Sequence, residues 1–140
     1  MDLITDAGIK KKSFELYFNG GSIWCEHLDG MGEFKDKVTE KFLSDSKIFS
    51  KPSVTSYMII NIDKTTIDDE IISCIVNGII SSHKHFMKIS FVGVKKRRDR
   101  VAFREIQNIT GCLVSFFDDF EKAKQCTLPE KTIDTGHSII

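Results

Sequence analysis

Paired cysteines, long apolar runs and an excess of either charge are all missing from this chain of 140 residues, and each absence narrows what it can be. No apolar run approaches the roughly 18 residues that a membrane span needs. Lys plus Arg and Asp plus Glu each number 20, so no global field draws the chain to nucleic acid or to a membrane. The opening MDLITDAGIKKK sets its basic residues after a weak apolar stretch, the reverse of a secretory signal, and a cytoplasmic protein is expected. Cys25, Cys74, Cys112 and Cys126 are dispersed, lie in or beside expected core elements, and read as free thiols rather than a disulfide framework.

Catalytic signatures are scarce as well. The chain has no phosphate-binding P-loop, no G-x-G-x-x-G, no G-x-S-x-G and no H-E-x-x-H. Cys25-x-His27 and His83-x-His85 lack zinc-ligand spacing, so no metal or other cofactor is expected. Asp63 and Asp68 flank Thr65 and Thr66, but a carboxylate pair without a histidine or metal motif is a poor basis for acid–base chemistry. The chain is expected not to be an enzyme.

What is present is organised around residues 54–78. Tyr57, Met58, Ile59, Ile60 and Ile62 form a near-continuous apolar run, the pattern of a central strand covered on both faces. Asp63-Lys64-Thr65-Thr66 breaks it with turn formers. Ile67, Ile71, Ile72, Ile75, Val76, Ile79 and Ile80 then recur as one stripe of a helix. Asp68, Asp69 and Glu70 fall in its first turn, where the helix dipole favours anions.

The other elements follow from the same periodicities. Phe14, Leu16 and Phe18 alternate with Glu15 and Tyr17 as a half-buried strand. Asn19-Gly20-Gly21 signals a hairpin, and residues 22–28 return as a second strand. A first helix is expected over about 32–44, with Ile48 and Phe49 tucked into a polar connection. Residues 87–94 read as a strand and 98–108 as a helix with Val101, Ala102, Ile106 and Ile109 on one face. Gly111 closes that helix. Residues 112–116 form a last strand, Asp118 and Asp119 open a last helix, and Pro129 ends it. Trp24, Phe14, Phe18, Phe34 and Phe42 are expected in the core. The order β-β-α-β-α-β-α-β-α defines an α/β domain over 13–128, with a mixed sheet of about five strands and four helices. Residues 1–12 read as a lead-in and 129–140 as a tail.

Three stretches in this order resemble the STAS domain, the fold of anti-sigma-factor antagonists and of the cytoplasmic tails of sulfate transporters. Residues 58–72 resemble the family's strand, loop and helix around an I-D-S-S-G-L motif. Residues 88–111 resemble its L-V-G strand and a helix ending L-T-G. Residues 116–123, FFDDFEKA, resemble its F-D-S-L-E-E-A ending. The resemblance implies a regulatory domain that binds a cytoplasmic protein, kinase-like or sigma-regulatory, as a monomer or weak homodimer. It also implies a departure: Asp69 stands where the antagonists carry a phosphorylatable serine, and Ile71 replaces the family's glycine. The loop would then hold permanent negative charge where the family switches it.

Two candidate sites result. Asp63, Thr65, Thr66, Asp68, Asp69, Glu70 and Ser73 form the expected partner-binding loop and helix start, with Thr65, Thr66 and Ser73 open to phosphorylation. Lys95, Lys96, Arg97, Arg98 and Arg100 form a basic run at a helix start, suited to a nucleotide or small anion. Nucleic acid is not expected, because no aromatic residues interleave the run. Both sites follow the C-terminal ends of expected parallel strands and so belong on one rim, where they can neutralise each other.

Overall fold

The computed structural model describes residues 11–129. The strands are β1 (Phe14–Phe18), β2 (Gly21–His27), β3 (Tyr57–Asn61), β4 (Lys88–Val92) and β5 (Leu113–Phe117). The helices are α1 (Lys35–Phe49), α2 (Asp69–Ile80), α3 (Arg97–Phe103), α4 (Glu105–Thr110) and α5 (Phe120–Thr127). Arg104 alone separates α3 from α4, so the two act as one interrupted helix and the α/β order matches the expected one. Of the expected lead-in and tail, residues 1–10 and 130–140 lie outside the described residues.

All five strands join one mixed sheet in the order β1-β2-β3-β4-β5. β1 is antiparallel to β2, and the other pairs are parallel. The β1–β2 turn uses Asn19 (φ 49°) and Gly20 (φ 82°), both left-handed, as a two-residue hairpin requires. The isoleucine-rich ribbon is therefore the middle strand. Parallel strands laid down in one direction carry their crossover helices on one face. Val38, Phe42 and Phe49 of α1, Ile71, Ile72, Ile75 and Ile79 of α2, Phe103 and Ile106 pack there on Met58, Ile60, Ile89 and Phe91. On the other face Ile59, Ile23, Cys25 and Val92 lie beneath Ala123 of α5. Each fully buried isoleucine or phenylalanine contributes about 1.5–3 kcal/mol, so β3 anchors both layers and α2 the larger one.

Four expectations shift. The first helix runs to Phe49, not to 44. Phe49 is fully buried, and a Lys41–Asp45 pair at 2.9 Å holds the polar turn between. Val101 and Ile109 face solvent while Phe103 and Ile106 take the core side, because the large Phe103 ring stacks on Phe91 at 4.3 Å and sets the helix rotation. Phe14 and Phe34 are exposed, the former on the edge strand. Among the cysteines, all free, Cys25 and Cys112 are buried, but Cys126 is exposed on α5. Burial pushes the Cys25 thiol up to about 12 and the Cys112 thiol up to about 11.

One buried polar group stands apart. Glu26 of β2 points under α1 and is 0% exposed. Trp24 Nε1 donates to its Oε1 at 2.9 Å, and Oε2 has no partner as a bare acceptor. Burial first, and then the adjoining Asp45, push this carboxyl up to about 9. Glu26 therefore keeps its proton at neutral pH and presents an O–H to Asp45, which resolves the orphaned oxygen. Burial opposes the charge on Asp45, but hydrogen bonds from Glu26 and Lys41 prevail and hold it below the ordinary carboxylate range.

Candidate functional site

Because β2 to β5 run parallel, the chain leaves the sheet along one rim after His27, Asn61, Val92 and Phe117. The ladder persists past the strand ends. Leu28 N–H donates to Asn61 O at 2.8 Å, Gly30 N–H to Asp63 O at 2.8 Å, and Thr66 N–H to Gly32 O at 2.8 Å. The β3–α2 loop is thus pinned to the β2–α1 loop and does not hang free.

Thr65 makes that pinning, and it corrects one expectation. Its side chain is buried; Oγ1 donates to Leu28 O at 2.6 Å and accepts from Met31 N–H at 3.1 Å. A hydroxyl so engaged neither meets a visiting surface nor receives a phosphoryl group. Thr66 and Ser73, by contrast, are exposed.

Gly93 brings the next loop against this one. Its φ is +92°, and a Cβ there would lie 2.4 Å from Asp63 Cα. Only glycine permits that approach. The consequence is that Lys95 reaches Asp63, with Nζ 3.7 Å from Oδ1.

The acids and bases do meet on one rim. Arg98 donates to Asp69 Oδ1 at 2.7 Å, and Arg100 lies 3.7 Å from Asp118. Lys35, at the start of α1, sits 2.9 Å from Glu70 and 3.5 Å from Asp68. Its hydrogen bond to Glu70, above the other contributions, raises the Lys35 ammonium above its usual range. Asp68 caps α2 by accepting from Ile71 N–H at 2.9 Å. That bond, ahead of Lys35, lowers the Asp68 carboxyl. Lys96 and Arg97 are exposed and enter no ion pair among the described residues.

Asp69 is 82% exposed and Arg98 76%. Exposed ion pairs contribute little to stability and are screened by salt, so these contacts exchange readily for those of another surface. Asp63 and Asp68 turn to different cations and do not form a shared acid–base pair. Among the described residues no cluster of three His, Cys, Asp or Glu side chains is placed to hold a metal, and no helix is long and apolar enough to cross a membrane.

Lys35, Asp118 and the glycine-rich loop at 30–32 also belong to the rim, beyond the residues that the sequence marks for it. The available signal was topological: β2 ends on the same rim as β3 once the two are parallel.

Comparison with models of protein families, with curated proteins and with solved structures finds no match to this chain in any of the three.

Proposed function

We propose that the chain is a non-enzymatic, STAS-like regulatory domain that docks a cytoplasmic protein partner through the rim formed by residues 63–70 and the first turns of α2. The observation that carries the reading is the exposed set Asp69, Glu70, Lys35 and Arg98. These charges are held in place by a rigid base yet bound to each other only weakly. Thr66 and Ser73 flank the same surface, and Asp69 supplies constant negative charge at the position implied for a regulated serine. A partner suited to this rim presents lysine or arginine to Asp69 and Glu70 and carboxylates to Lys35 and Arg98.

A nucleotide or small anion on the basic run is the weaker reading. Lys95, Arg98 and Arg100 already face Asp63, Asp69 and Asp118, and those carboxylates would repel an anion. Affinity capture compares wild type with Asp69→Lys/Glu70→Lys, both checked for an unchanged melting transition. Loss of the same captured protein, at least tenfold, is the expected result. Equal recovery removes the rim from the account.

A further inference from the structure

The two margins of the sheet are treated differently. At β5, Leu113 N–H donates to Met87 O and Gly93 N–H to Phe117 O, so residues 113, 115 and 117 face β4 while Val114 and Phe116 face outward. The outward Val114 N–H is taken by Gln107 Oε1 at 2.9 Å. That side chain blunts the margin against a further strand.

β1 has no such guard among the described residues. In β2, Ser22 O accepts from Thr55 Oγ1 at 2.8 Å and Leu28 N–H reaches Asn61, so even-numbered residues face β3. His27 N–H instead reaches Ser13 Oγ at 2.9 Å, on the β1 side. The hydrogen-bonded pairs of the hairpin are therefore Phe14 with Cys25, Leu16 with Ile23 and Phe18 with Gly21. Glu15 and Tyr17 turn both their N–H and C=O groups outward. Tyr17 is 79% exposed, and among the described residues an open groove of about 510 Å³ lies between α1 and the start of β1.

We infer that this margin pairs with the β1 of a second copy of the chain, antiparallel and centred on Leu16, giving a continuous ten-stranded sheet. The sequence FELYF is self-complementary in that register. Glu15 falls opposite Tyr17 of the second copy, so the outward groups form four main-chain hydrogen bonds and no two like charges meet. Phe14 falls opposite Phe18, covering the exposed Phe14 ring, and Lys12 falls over the partner's Gly20 rather than another lysine. A five-residue strand buries little area, so the dimer is weak and concentration-dependent. The rim residues of the proposed function take no part in it.

Sedimentation equilibrium of the full chain over a range of concentrations tests this, with amide hydrogen exchange read residue by residue. The mass is expected to rise from one chain towards two. Protection of the Glu15 and Tyr17 amides is expected to grow at least tenfold with concentration, while Leu16 is protected throughout. Tyr17→Pro removes an N–H outside the β1–β2 ladder and is expected to weaken dimerisation at least tenfold; if it fails to fold, the exchange data decide. A monomer at every concentration, a dimer indifferent to Tyr17→Pro, or protection of Glu15 and Tyr17 that does not change with concentration would each overturn the inference. The last would place another segment of the same chain on this margin.

Discussion

Glu26→Gln should reverse the usual outcome of a change in a buried position and stabilise the protein. Glu26 is fully buried, and its carboxyl is raised from about 4.5 to about 9. Between those values the folded chain holds a proton that the unfolded chain releases. A raised folded-state pKa contributes stability that is complete below pH 4.5 and is lost as pH climbs towards 9. The loss is about 1.4 kcal/mol per pH unit, so by pH 7 it has reached about 3 kcal/mol. Glutamine keeps the acceptor for Trp24 Nε1 and an N–H donor for Asp45 but does not titrate. Urea unfolding of both proteins from pH 5 to pH 9 measures the difference directly. Asp45, being lowered, acts below this window and does not confuse it. The variant should be close to wild type at pH 5 and more stable by about 3 kcal/mol at pH 7. Parallel curves across the range would mean that Glu26 is ionised at neutral pH, and the buried acid would have to be abandoned.

Gly93→Ala should destabilise the fold by about 2–5 kcal/mol, combining strain at positive φ with a clash against the Asp63 backbone; chemical denaturation checks it, and a change under 1 kcal/mol would contradict the close approach. Thr65→Val should lose about 1–3 kcal/mol, because Leu28 O and Met31 N–H would be left without partners under a buried methyl; an unchanged midpoint would return Thr65 to the surface.

The parts of the fold legible in the sequence are those where one periodicity ran unopposed. The apolar run of β3 and the stripe from Ile71 to Ile79 could bury themselves in only one way, and they placed the rim between them. The acids and bases were assigned to one rim by the parallel strand order alone. Ser44-Asp45-Ser46 looked like a helix end because each residue is a poor helix former, whereas Phe49 beneath Trp24 and Phe86 keeps the helix going. The expected face of the interrupted helix is half right: Ala102 and Ile106 pack on the core, but Phe103 takes the place that the spacing offers to Val101 and Ile109. Thr65 looked like any exposed turn residue. Its burial depends on Leu28 and Met31, 37 and 34 residues away, and no local pattern reports such a pairing. The same holds for Glu26, whose setting is made by a helix that begins after it.

The most direct test of the rim is a photo-crosslinking residue at Thr66, compared with one at Leu113, which is exposed at the opposite end of the sheet. A single protein species captured from position 66 and absent from position 113 is the predicted result. Adducts of equal yield from both positions, or none from position 66, would contradict docking at this rim.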